Sequence, residues 1–188
     1  MKAPMPQCHV SSHADMKKAL FLAFALLLSA GCENSYSTMS VKYRVLFTCR
    51  TDIAPFNQLS TPGRFLSVRM LPDGSLSVTD PDGNETSRPL TQKESYSFTL
   101  GLGGLIIGKP LFDMDASSVY AFDLACPECD QLQYLLKVDL SGNAKCTKCG
   151  NTWSLNNGGY PVETTSAKVR TLYRYPVKAS GSSLTVSN

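Results

Sequence analysis

From about residue 40 onward, apolar and polar positions alternate with a period of two in short runs separated by turn residues. Val41, Tyr43, Val45 and Phe47 alternate with Lys42, Arg44, Leu46 and Thr48, which predicts a strand over 41–49, imperfect at Leu46. Cys49 shares the apolar parity and reads as a buried thiol acting as a small hydrophobe. Residues 52–63 hold two prolines and read as a loop. Strands are predicted over 65–71 and 75–79, joined by Pro72-Asp73-Gly74; Asp-Gly between two extended runs is a hairpin signal. Residues 80–84 form a second turn cluster, and Tyr96, Phe98 and Leu100 predict a strand over 95–100. Gly101-Leu102-Gly103-Gly104 has neither a Gly-Lys-Ser/Thr ending nor a helical period after it, so it reads as a glycine-rich turn and not a phosphate loop. Further strands are predicted over 105–107, 119–125, 133–140 and 152–155, then around Tyr173, Tyr175 and Val177, and last at Leu184 and Val186. Beyond the amino-terminal region no ten residues follow a 3.6 period, so the fold class is all-β, about ten short strands joined by tight turns.

The amino-terminal end has a different pattern. Residues 1–15 show no apolar period and read as an upstream extension, with Met16 competing with Met1 as the start. Met16-Lys17-Lys18 then opens a twelve-residue apolar run (residues 19–30) that ends at Ala30-Gly31-Cys32. A basic start, an apolar core and a small-residue cleavage zone make a secretory signal peptide. A membrane span needs about 20 apolar residues, so this run is too short. Ala30-Gly31-Cys32 resembles the lipobox of bacterial lipoproteins, with Ser29 departing from its usual leucine. That resemblance makes Cys32 the lipidated first residue of the mature chain and places the protein in the bacterial cell envelope, anchored to a membrane by lipid and facing the periplasm or the surface. Residues 1–31 would be removed, and residues 32–40 are small and polar enough for a tether.

Processing also changes the charge. Losing Lys2, Lys17, Lys18 and Asp15 takes the formal net charge from +3 to +1. With no basic run and no basic–aromatic stripe, nucleic acid is not an expected partner. Both histidines, His9 and His13, lie in the removed segment, so a mature chain has no imidazole for a Ser-His-Asp or Cys-His site. No other catalytic constellation is legible. Asp113 and Asp115 read as a solvated loop, since no further ligand follows at calcium-loop spacing. The Tyr120/Phe122 and Tyr173/Tyr175 pairs read as sheet core.

The chemistry concentrates in Cys126-Pro127-Glu128-Cys129 and Cys146-Thr147-Lys148-Cys149-Gly150, two Cys-x-x-Cys knuckles with sixteen residues between them. Each knuckle can put two thiolates on one side of a tight turn, and two facing turns converge four sulfurs on one point. Three states suit this pattern. One is a single ion, zinc or iron, in a four-cysteine cage, which the spacing favours. The second is a 2Fe–2S cluster on the same cysteines, and the third is two disulfides in an oxidising compartment. Lys145 and Lys148 flank the knuckles and would offset thiolate charge.

From about residue 119 onward the chain resembles a Rieske iron–sulfur domain. The resemblance rests on the strand at Tyr120-Ala121-Phe122, on Cys126-Pro127 in the first ligand loop, and on Cys146 with Cys149-Gly150 in the second. Trp153 and Leu155 follow in the next strand, and Gly158-Gly159-Tyr160-Pro161-Val162 and Leu172-Tyr173-Arg174-Tyr175-Pro176-Val177 resemble the closing segments. It implies a Rieske-like antiparallel sandwich or barrel over 41–188, built on a base sheet from 41–121 and 162–186. A small rubredoxin- or zinc-ribbon-like metal-binding lobe would span 122–161. It further implies an electron-transfer role with a redox or envelope partner. Here Glu128 stands at the family's first histidine position, with Cys129 beside it, and Cys149 stands at the second. An all-cysteine cluster would have a lower potential than one with two imidazoles.

Overall fold

The computed structural model describes residues 39–112 and 118–188. The expected signal peptide, Cys32, residues 33–38 of the expected tether, both histidines, Asp113 and Asp115 lie outside the described residues. Among those described, no helix is long and apolar enough to cross a membrane. The described residues are predominantly antiparallel β, in three sheets.

The first sheet joins β1 (Val45–Arg50), β5 (Thr99–Leu100), β13 (Val177–Ser180) and β14 (Ser183–Ser187) in the order β13-β14-β1-β5. Along β1 buried and exposed residues alternate strictly, so Leu46 faces outward while Val45, Phe47 and Cys49 face inward. The second sheet has six strands in the order β12-β7-β6-β2-β3-β4. These are β2 (Phe65–Met70), β3 (Ser75–Thr79), β4 (Glu85–Pro89), β6 (Leu105–Gly108), β7 (Tyr120–Asp123) and β12 (Arg174–Tyr175). The β2–β3 hairpin closes at Pro72-Asp73-Gly74, with Leu71 N donating to Ser75 O at 2.8 Å.

The middle of the second sheet, around β6 and the adjoining parts of β2 and β7, is buried on both faces. Leu66, Val68, Leu105, Ile107, Ala121 and Tyr175 pack toward β1 and β14 in one core. Phe65, Ile106, Phe122 and Leu124 pack the opposite way, into a second core shared with the third sheet. Successive residues on a strand point to opposite faces, so a strand between two cores must be apolar throughout. That is why Leu105-Ile106-Ile107 carries no polar position. The third sheet, order β11-β10-β9-β8, holds β8 (Leu136–Val138), β9 (Asn143–Cys146), β10 (Thr152–Ser154) and β11 (Tyr160–Glu163). Its last strand runs two residues past the lobe boundary read from the sequence.

Several elements differ from expectation. Residues 41–44 are not strand; β1 begins at Val45, and Val41 is exposed. The strand expected over 95–100 is β5 alone, preceded by the helix α1 (Gln92–Ser97). Thr91 and Glu94 form a capping box that starts α1, and Tyr96 on it is exposed. A short 3-10 turn, Phe56–Ser60, lies inside the expected loop and buries Phe56 and Leu59. β4 has no buried residue and so leaves no alternation to read.

Cys49 lies in the first core, and burial pushes its thiol up to about 12. At pH 8 the folded chain should therefore hold its thiolate roughly a thousandfold less often than a free thiol does. Neutral maleimide followed by peptide mapping should label Cys49 only after denaturation; rapid labelling of the native chain would contradict this placement.

Candidate metal centre

The two knuckles repeat one backbone turn. Asp130 N donates to Cys126 O at 2.8 Å, and Gly150 N donates to Cys146 O at 2.9 Å. Both residues have positive φ, 51° at Asp130 and 78° at Gly150. Each turn directs two backbone amides at the sulfur of its first cysteine: those of Glu128 and Cys129 at Cys126, and those of Lys148 and Cys149 at Cys146. Pro127 costs the first turn nothing, because the amide it lacks is not one of the two used.

The turns face each other and bring all four sulfurs within 4.8 Å of one another. Cys126 Sγ lies 3.6 Å from Cys149 Sγ, and Cys129 Sγ lies 3.9 Å from Cys146 Sγ. No pair is at disulfide bonding distance, and all four thiols are free. Four sulfurs set tetrahedrally about 2.3 Å from one ion stand about 3.8 Å apart, so this group can hold one metal ion.

The site is asymmetric in depth. Cys126 and Cys146 are fully buried and belong to the second core with Phe122, Leu136, Trp153 and Leu155. Cys129 and Cys149 are half-buried and form the outer edge. Burial pushes the Cys126 thiol far up against its two amide donors, and it raises Cys129 to about 11. At Cys146 burial also opposes the charge, but the amides of Cys149 and Lys148, together with the Cys126 and Cys149 thiols, outweigh it and lower the pKa. Four thiolates packed this closely need a cation to offset their summed charge.

A strap formed by residues 163–173 crosses both knuckles. Thr165 Oγ1 donates to Cys149 O at 3.3 Å, and Thr165 N donates to Asn151 Oδ1 at 2.7 Å. At the other knuckle Arg170 N donates to Glu128 Oε1 at 2.6 Å, and Arg170 Nε donates to the same oxygen at 3.3 Å. Glu128 thus turns its carboxylate to Arg170 and lies outside the sulfur group. Trp153 Nε1 donates to Arg170 O at 2.8 Å, tying the strap to the second core. The flanking lysines have other partners: Lys145 Nζ lies 3.8 Å from Glu163, and Lys148 Nζ lies 5.6 Å from the centre of the Tyr134 ring. Residues 163–171 of the strap are exposed or half-buried and have no alternation, so that stretch carries no signal in the sequence.

The glycine-rich turn before β6 supports the lobe. It wraps the carboxylate of Asp123, which is fully buried at the end of β7. Leu102 N donates to Asp123 Oδ2 at 2.7 Å, Gly103 N to Oδ1 at 3.0 Å, Ala125 N to Oδ1 at 2.8 Å, and Tyr175 OH to Oδ2 at 2.7 Å. A Cβ on Gly101 would strike this carboxylate, and one on Gly103 would meet Ala125 N at 2.8 Å. Burial pushes the Asp123 pKa up, opposed by these four donors. Asp123 lies three residues before Cys126, so this cluster fixes the chain where it enters the first knuckle.

No protein-family model, curated protein or solved structure matches this chain.

Proposed function

We propose that the chain is a lipid-anchored protein of the bacterial cell envelope, with a Rieske-related domain that holds one metal ion on Cys126, Cys129, Cys146 and Cys149 as an electron-transfer centre. The observation that carries the metal reading is the convergence of four sulfurs within 4.8 Å, with no disulfide among them. The Rieske-related part draws support from the layering: a lobe sheet with two facing ligand turns, set on a base of two packed sheets. The lipid anchor rests on the Ala30-Gly31-Cys32 pattern.

The protein's own contributions are specific. Two amides at each inner sulfur stabilise thiolate charge where burial opposes it. The second core keeps water from Cys126 and Cys146. The half-buried Cys129 and Cys149 give a redox partner a short path to the centre. Iron held by Cys126, Cys129, Cys146 and Cys149 would supply one-electron chemistry. A single ion fits these separations better than a 2Fe–2S cluster, whose two irons and two sulfides would hold the ligand pairs further apart. A second reading is a structural zinc site with an interaction role, favoured by the depth of Cys126 and Cys146 in the second core.

Purification without oxygen, followed by visible spectroscopy and metal analysis, separates the two. One iron per chain with visible bands that bleach on reduction supports electron transfer. A colourless protein with one zinc refutes it in favour of the structural site. Cys32→Ser should move the protein from the membrane fraction to the soluble fraction; continued membrane association would overturn the lipid anchor.

A further inference from the structure

Asp130 directly follows the ligand Cys129 and, among the described residues, is the one non-glycine residue with positive φ. The matching position in the second knuckle is Gly150. A left-handed backbone costs a residue with a side chain about 1 kcal/mol, somewhat less for aspartate. Glycine would serve the turn at lower cost, so the carboxylate must account for the aspartate.

That carboxylate binds the stretch leading into β1. Tyr43 OH donates to Asp130 Oδ1 at 2.7 Å, Tyr173 OH donates to the same oxygen at 3.1 Å, and Lys42 Nζ donates to Oδ2. Lys42 Nζ also lies 3.2 Å from Tyr173 OH. The Tyr43 and Tyr173 rings meet edge to face, with centroids 5.6 Å apart. On its other flank the same stretch is held by backbone and terminal contacts. Ser40 N donates to Arg174 O at 2.6 Å, while Asn188 Nδ2 donates to Ser40 O at 3.2 Å and to Tyr43 O at 2.7 Å. The lead-in to the domain is therefore pinned on one side by Asn188 and Arg174 and on the other by the first knuckle.

We infer that Asp130 is a positioning residue that clamps Lys42 and Tyr43 to the first knuckle and so links occupancy of the four-cysteine site to docking of the lead-in segment. The inference rests on the metal reading above. An ion on Cys126 and Cys129 fixes the turn that holds Asp130 in its left-handed conformation and presents its carboxylate to Lys42, Tyr43 and Tyr173. Loss of the ion frees that turn and weakens the clamp. Linkage makes the effect reciprocal: the clamp raises metal affinity by the factor by which metal tightens the clamp.

Amide hydrogen exchange over residues 40–44 and the rate of metal transfer to a chelator test this on the full chain. Stripping metal from the wild type should speed exchange there roughly tenfold. Asp130→Gly should speed it similarly with metal bound and release metal about fivefold faster, even though glycine suits the turn better. Tyr43→Phe combined with Tyr173→Phe, which leaves the knuckle sequence intact, should act in the same direction. Wild-type exchange and release rates in Asp130→Gly would overturn the clamp. A wild-type chain that binds no metal would overturn the linkage with the metal reading, while the exchange difference between wild type and Asp130→Gly would still decide whether the clamp exists.

Discussion

Removing the ion should melt the third sheet and the knuckles while leaving the first core folded. Structural four-ligand zinc sites contribute on the order of 10 kcal/mol to folding, and here the two inner ligands are part of the second core. Without a cation, Cys126 and Cys146 become buried thiols facing one another across 4.8 Å or less, with backbone amides aimed at uncharged sulfur. The strands of the lobe are three or four residues long, and β11 is almost wholly exposed, so the second core has little regular structure to stand on once its two inner ligands lose their ion. Trp153, the chain's one tryptophan, lies fully buried in this core, so its fluorescence reports the lobe alone. A strong chelator, or Cys146→Ser, should shift its emission to the red while the β signal of the first core persists. Complete metal removal with no change in Trp153 emission would contradict the structural role.

The second large effect is expected at Asp123. Replacing it with alanine strands the amides of Leu102, Gly103 and Ala125 and the hydroxyl of Tyr175 in a buried site. Each unsatisfied buried donor costs about 1–3 kcal/mol, and water entering the gap recovers part of that, so the expected loss is on the order of 3–5 kcal/mol. Asp123→Asn should be nearly as damaging, because its NH2 group must point at backbone N–H donors where a carboxylate oxygen stood. Chemical denaturation of both variants with metal bound measures this; a loss below about 1 kcal/mol would show that the turn does not depend on the carboxylate. The pH dependence has a definite sign. Burial raises the folded-state pKa of Asp123 above its unfolded value, so its contribution is most favourable below the unfolded pKa and declines as pH rises through the folded one.

The sequence revealed most where one physical constraint acted alone. In β1, one face meets the core and the other meets water, and Val45, Phe47 and Cys49 declare it. The Leu105-Ile106-Ile107 run showed burial but not its cause, a sheet placed between two cores. The four cysteines were legible because thiolate chemistry fixes their spacing, whereas Asp123 was not, because a buried carboxylate is recognised only by the amides that fold around it. The glycines at 101 and 103 were read as a turn; what the turn encloses lies across the sheet in Asp123 and Tyr175. α1 has a sequence signal in Thr91 and Glu94, but no apolar stripe follows the box to mark it as a helix. β4 and residues 163–171 of the strap have none, since each is exposed along most of its length. Residues 41–44 misled for another reason: Lys42 and Tyr43 fit a strand's alternation, but their side chains are taken by Asp130.

X-ray absorption at the metal edge of protein purified without oxygen tests the central claim most directly. Four cysteines around one ion predict four sulfur scatterers at about 2.3 Å and no neighbouring metal. A metal–metal distance in the spectrum, nitrogen or oxygen in the first shell, or a chain that carries no metal and two disulfides would contradict it.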